Sequence, residues 1–266
     1  MLNVETRGRL RLITLNRPGV RNAVNPELAR ALYRAMLAFE GDDSVDVAVL
    51  SGSDGAFCAG FDLKSAASGD GTGWIESLTI PEAWADPRAQ PLPGPMGPTR
   101  LMLSKPVIAA IEGPAVAGGM ELALWSDIRI MAEDAQFGVF CRRWGVPLID
   151  GGTVRLPRIV GQGRANDLIL TGRGVTADEA ISIGLADRLC PPGDALSAAL
   201  DYAQALTRFP QGCLRADFLS ARLAPADLAA ALRREWASAG MAVAEGIRGA
   251  SRFAAGKGRG GDFSDL

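Results

Sequence analysis

Three short apolar runs, each followed by turn residues and a helical pattern, constrain this chain most. They cover residues 45–50, 107–111 and 128–131. Runs of this kind, bounded by Asp, Ser and Gly, read as strands buried on both faces. A further strand is predicted over 9–15, where apolar and polar residues alternate before the turn Asn16-Arg17-Pro18. Asn25-Pro26-Glu27 then marks a helix start, with an N-cap residue and a proline at the first helical position. Leu28, Leu32, Ala35, Met36 and Phe39 follow at helical spacing and define one apolar face. Strands that alternate with helices predict an α/β core in which helices cover a sheet. From about Asp194 the pattern is nearly all helical, with Ala-rich stretches such as 225–245. The expected division is a β-rich core over 1–193 and a helical layer over 194–266. Residues 65–98 are rich in Gly, Pro, Ser and Asp and are expected to form a long surface loop, with one helical turn near 74–78. Within it, Trp74, Trp84 and Met96 either line a pocket or pack the loop down, and packing is the expectation. The Gly-rich tail, 256–266, is expected to be loose. No internal sequence repeat is visible.

Composition narrows the chemistry. The chain has 266 residues and no histidine. That removes every Ser-His-Asp or Cys-His mechanism and every histidine-ligated zinc, haem or iron site. Acid–base work must fall to carboxylates, Lys, Tyr or Cys. With 28 Lys+Arg against 30 Asp+Glu the net charge is −2, and no basic stripe calls for a nucleic-acid partner. Cys58, Cys141, Cys190 and Cys213 form no C-x-x-C pair, so no metal is expected and the plain reading is buried free thiols in a reducing cytoplasm. The polar N-terminus resembles neither a signal nor a transit peptide, and no run is long enough to span a membrane.

Two glycine-bearing turns each follow a predicted strand: Phe57-Cys58-Ala59-Gly60-Phe61-Asp62-Leu63, and Gly113-Pro114-Ala115-Val116-Ala117-Gly118-Gly119-Met120-Glu121. Small residues let a ligand approach the backbone N–H groups closely. A helix beginning near Gly118 would present N–H groups that lack internal partners, suited to an anion or a developing oxyanion. The plainer alternative is that the glycines only allow tight strand-to-helix packing. Glu121, three residues after Gly118, shares its helix face. It reads either as a carboxylate placed above a bound group or as a capping glutamate.

Together with these turns, other segments carry a resemblance: Leu12-Ile13-Thr14-Leu15-Asn16-Arg17-Pro18, Arg21-Asn22-Ala23, Ser126-Asp127-Ile128, Ala135-Gln136-Phe137-Gly138, Gly151-Gly152-Thr153-Val154-Arg155-Leu156 and Phe253-Ala254-Ala255-Gly256-Lys257. In this order and spacing the chain resembles the enoyl-CoA hydratase/isomerase (crotonase) superfamily. The resemblance implies a spiral of β-β-α turns with a helical C-terminal region used for packing as a homotrimer or dimer of trimers. It implies an acyl-CoA thioester as substrate, with no cofactor beyond the coenzyme A that the substrate carries. It maps the oxyanion hole onto the N–H groups of Ala59 and Gly118, and contacts to CoA onto Arg21, Ala23, Asp62, Leu63, Lys64 and Lys257.

The chain also departs from the hydratase pattern. Of the two glutamates that share the work in hydratases, the first maps onto Glu121 and the second onto Cys141. A thiol is a poor substitute, and packing is the simpler role for Cys141. Asp150, nine residues on, reads either as a second catalytic carboxylate or as the cap of a helix starting at Gly151. Three readings follow. The chain is a hydratase with altered acid–base residues; a double-bond isomerase or other enolate-forming enzyme, for which one carboxylate suffices; or a non-catalytic acyl-CoA binder.

Overall fold

The computed structural model describes residues 1–258. A hairpin of β1 (Leu2–Arg7) and β2 (Leu10–Leu15) opens the chain, followed by helix α1 (Pro26–Gly41) and β3 (Val47–Gly52). Short helices α2 (Leu63–Ala67) and α3 (Asp70–Ser77) precede β4 (Val107–Ile111), β5 (Pro114–Val116) and α4 (Gly118–Trp125). Then come β6 (Ile128–Ala132), β7 (Gln136–Gly138), a 3-10 turn at Phe140–Trp144, α5 (Gly152–Val160) and α6 (Gln162–Thr171). After β8 (Gly174–Thr176), α7 (Ala177–Ser182) and β9 (Arg188–Cys190), only helices follow: α8 (Ala195–Leu206), α9 (Gln211–Ser220), α10 (Pro225–Trp236), α11 (Ala239–Ala244) and α12 (Gly246–Ala254).

One sheet runs β1-β2-β3-β4-β6-β9, parallel except for the β1–β2 hairpin; a second runs β5-β7-β8. Successive strands feed the two sheets in turn. β4 joins the first, β5 the second, and α4 follows; β6 and β7 repeat this before α5. β3 starts the same pattern: Cys58 makes a parallel bridge to Ala115 of β5, and α2 follows. The spiral of β-β-α turns is thus a structural repeat with no visible sequence repeat.

Side chains of a strand alternate between faces, so a central strand must be apolar throughout. Ala48, Leu50, Ala109 and Ile111 join Leu28, Leu32, Met36 and Phe39 of α1 in the main core. Val47, Val49, Ile108 and Ala110 face the other way, onto Ala195, Ala199 and Ala203 of α8. The alanine stripe, at four-residue spacing, lets α8 lie close on the sheet. At the start of α1, Asn25 accepts from the Leu28 N–H at 3.0 Å. At its end the buried Lys105 ammonium donates to the Phe39 and Asp42 carbonyls.

Several expectations need correction. Residues 2–7 form an exposed edge strand, which their polar composition concealed. Residues 65–98 are largely exposed and irregular, as expected, but hold more helix than one turn. They hold part of α2 and all of α3, and Trp74, Trp84 and Met96 are buried, the two indoles donating to the Pro95 and Gln90 carbonyls. Apolar burial and indole hydrogen bonds hold down a Gly/Pro-rich backbone that has little secondary structure of its own. Three thiols are buried, but Cys213 is exposed. From residue 259 the expected loose tail lies outside the described residues. Among those described, no helix is long and apolar enough to cross a membrane.

Candidate active site

The two glycine-bearing turns lie side by side. Cys58 N–H donates to the Pro114 carbonyl and Val116 N–H to the Cys58 carbonyl, both at 3.0 Å. A Cβ placed on Gly60 would come within 3.0 Å of the Gly118 nitrogen, and one on Gly119 within 2.1 Å of the Cys58 carbonyl. This close approach is why small residues occupy both turns. Ala117, the N-cap of α4, has φ 53 and ψ −126, a conformation costly for a residue with a side chain. The Gly118 N–H has no acceptor among the described residues, as the first position of a helix allows. The Ala59 N–H differs: it donates to the Arg21 carbonyl at 2.9 Å. The Met96 thioether lies against Gly118.

Glu121 is buried on α4 and does not cap its own helix. Its Oε1 accepts from the N–H groups of Asp150 and Gly152, each at 2.9 Å. Both lone pairs of Oε1 are therefore taken, and a proton on this carboxyl belongs on Oε2. Burial raises the Glu121 pKa well above the usual range, and the neighbouring Asp150 and Glu235 carboxylates add to the shift.

Asp150 is buried as well, and it is not a helix cap. Gly151 is the N-cap of α5 and supplies no side-chain bond. Instead Asp150 Oδ1 accepts from the Met96 N–H at 2.9 Å and from the Thr99 hydroxyl. Burial pushes its pKa up to about 6, against the pull of those hydrogen bonds and of Arg100. Cys141 is buried, and desolvation with the nearby Glu121 charge pushes its thiol up to about 12. At neutral pH it is therefore an uncharged thiol.

Three further residues complete this cluster and were missed in the sequence. Glu235, on α10, accepts from the Gly151 N–H at 2.6 Å and the Thr153 N–H at 2.8 Å, and from the Thr153 hydroxyl at 2.7 Å. Arg155 donates to the Asp150 and Thr99 carbonyls at 3.0 and 2.7 Å. Arg100 is buried against the Trp236 ring, 4.1 Å from its centroid. One signal was available: Leu228, Leu232 and Glu235 share the buried face of α10, where a carboxylate stands out.

The residues assigned to CoA contact form one neighbourhood in part. Val24 N–H donates to the Gly60 carbonyl and Asp62 N–H to the Val24 carbonyl, which joins the Arg21–Ala23 and Asp62–Lys64 segments. Arg21 and Lys64 are exposed, Leu63 is half-buried, and Ala23 is buried. Asp62 has structural work: it caps α2 through the Lys64 and Ser65 N–H groups and pairs with Arg17 at 2.9 Å. Lys257 is exposed just beyond α12, the helix packed on α2. Next to Phe61, residues Ile75, Val146, Ile149, Trp236, Ala239 and Ala242 form an apolar cluster separate from the main core. A cavity of about 400 Å³ lies behind Glu235, between Leu148, Thr153 and Arg234, and its walls do not include Ala59, Gly118 or Glu121.

Comparison with known proteins agrees with this architecture. A sequence model described as enoyl-CoA hydratase/isomerase matches residues 5–93 and 98–233. The enoyl-CoA hydratase EchA19 of Mycobacterium tuberculosis is 37% identical over 211 residues, 77% of this chain and 73% of that protein. The 2,3-dehydroadipyl-CoA hydratase of Escherichia coli is 35% identical over 215 residues, 81% and 79% of the two chains. The crystal structure of a carnitinyl-CoA hydratase from Mycobacterium avium superposes with a TM-score of 0.80 at 31% identity, covering 96% of this chain and 95% of the other.

Proposed function

The chain belongs to the enoyl-CoA hydratase/isomerase family, and from that premise we propose that it acts on an acyl-CoA thioester through an enolate, with Glu121 as principal acid/base. The observation that carries this reading is an open N–H at Gly118 paired with a buried carboxyl, Glu121, on the same helix face. Negative charge that develops on the thioester oxygen is stabilised by fixed donors, each worth roughly 2.7–4 kcal/mol by mutagenesis in known enzymes. Gly118 offers the first donor. Ala59 offers the second by exchanging the Arg21 carbonyl for the substrate oxygen. Met96, an adaptable side chain, moves aside to admit the acyl group. Glu121 Oε2 then exchanges a proton with the carbon next to the thioester, and its raised pKa suits a group that returns a proton as well as taking one.

Asp150 is the proposed second carboxylate for the hydration reading. The isomerase reading draws support from Cys141, a neutral thiol at the second hydratase position, because one carboxylate can move a proton between two carbons. Arg21, Ala23, Leu63, Lys64 and Lys257 are proposed to meet CoA, with Asp62 holding their segment in place. The proposal extends to a homotrimer or dimer of trimers in the cytoplasm, with no cofactor beyond the substrate's CoA.

The test is an assay of the wild type and Glu121→Gln with crotonyl-, 3-enoyl-, dienoyl- and 3-hydroxyacyl-CoA, with product identification. Glu121→Gln is expected to lower kcat by roughly 10²-fold or more. Equal turnover by the variant overturns the role of Glu121. Binding without turnover of any of these by the wild type favours the non-catalytic binder.

A further inference from the structure

We propose that Glu235, on the C-terminal helical layer, is a positioning residue for the reaction: by holding the N–H groups of Gly151 and Thr153 it fixes the interleaved N–H groups of Asp150 and Gly152 on which Glu121 hangs. This rests on the reading of Glu121 as acid/base. The geometry is an alternation along four consecutive residues. Asp150 and Gly152 donate to Glu121, while Gly151 and Thr153 donate to Glu235. Neither carboxylate can shift without the turn between them shifting too. The turn has little slack, because a Cβ on Gly152 would lie 2.8 Å from Glu121 Oε1 and one on Gly151 would overlap Arg155. Glu235 is itself buried, and both its oxygens are used.

The charge has a second effect: where ionised, Glu235 disfavours the ionised form of Glu121. Other groups face the same site. Asp150, from the loop before α5, acts in the same direction, whereas Arg155 of α5 acts against it. Cys141, from the 3-10 turn, is an uncharged thiol, and Arg100 faces Asp150 and Glu235. Glu235 is the member of this set that both holds the turn and shifts the balance of Glu121 toward its protonated form.

The variant to make is Glu235→Gln. A glutamine oxygen still accepts from Thr153, but its amide faces the Gly151 N–H, so one bond is lost and the charge removed. Three measurements are made on the full chain: kcat and KM on whichever acyl-CoA the wild type turns over, the pH dependence of kcat, and a ¹³C NMR titration of the Glu121 carboxyl. The titration needs no substrate. The expected result is a kcat lowered by up to about 10²-fold with little change in KM. With it, both the kinetic limb and the Glu121 titration move to lower pH. A Glu121 titration that stays in place, with kcat also unchanged, overturns the proposal and leaves Glu235 a structural tether, whatever happens to Tm. Should Glu235→Gln fail to fold, Glu235→Asp, which keeps a carboxylate but shortens its reach to the Gly151 and Thr153 N–H groups, must lower kcat; unchanged kcat overturns the proposal. Failure of the Glu121 reading has a different signature, namely turnover that Glu121→Gln leaves intact.

Discussion

The second and third β-β-α turns are built alike and finished differently. Each leads from one sheet to the other and into a helix whose N-cap lies in the left-handed region, Ala117 at φ 53 before α4 and Gly151 at φ 88 before α5. Neither N-cap supplies a side-chain bond to its own helix. At α5 the N–H groups of Gly151, Gly152 and Thr153 are all taken, by Glu235 and Glu121. At α4 no described residue accepts from the Gly118 N–H. A helix start closed by carboxylates from other elements is finished structure. One left open beside those carboxylates offers a donor to a ligand oxygen. Glu121 connects the two, because it rises from the open helix and closes the other.

The largest effect should come from disturbing the closed turn. Gly151→Ala places a side chain at φ 88 and displaces the Arg155 guanidinium from the Asp150 carbonyl, and is expected to cost about 2 kcal/mol in urea unfolding. A loss well under 1 kcal/mol would show that the third turn is not tightly closed.

Asp150→Asn comes next. The amide oxygen can still accept from Met96 and Thr99, so turnover should suffer more than stability. If only Tm falls, Asp150 is structural. The pH dependence gives a sharper check. Asp150 is raised from 3.8 to about 6, so the native chain holds this proton more tightly than the unfolded one. Its contribution to stability is full below about pH 4 and is lost as pH rises through about 6. The wild type should therefore lose more stability than Asp150→Asn between those values. Parallel Tm profiles would assign the titration to another group.

The smallest effect has the opposite sign. Ala117→Gly makes the second turn like the third and relieves the left-handed strain, for a gain of roughly 1 kcal/mol. A loss would mean that the alanine methyl contributes packing that outweighs the strain.

These turns also show what the residues alone could and could not reveal. β4 was legible to the residue and β3 nearly so, because a strand buried on both faces is a bare apolar run. The start of α1 was legible because Asn25 and Pro26 are local signals. Gly118 and Glu121 were legible as a pair because three residues on a helix set their placement. What Glu121 bonds was not, since Asp150 and Gly152 reach it only through the folding of the third turn. β1 was missed because an exposed edge strand needs no apolar pattern. Residues 65–98 were legible as an exposed, irregular segment pinned by Trp74 and Trp84, but the extent of the helix at Asp70–Ser77 was not, because its Gly and Asp content reads as loop. Glu235 bonds a turn 84 residues upstream, and no local rule reports a contact of that separation.

That separation has a meaning in time as well as in space. At synthesis rates of roughly 5–20 residues per second, the segment from Gly151 to Glu235 takes about 4–17 s to make. Through that interval the growing chain can pair its strands and bury α1, yet the turn that carries Asp150 still lacks its partner carboxylate. The last helices to leave the ribosome thus complete a part of the molecule begun much earlier, and a chain cut short before α10 would stop with that turn unfinished.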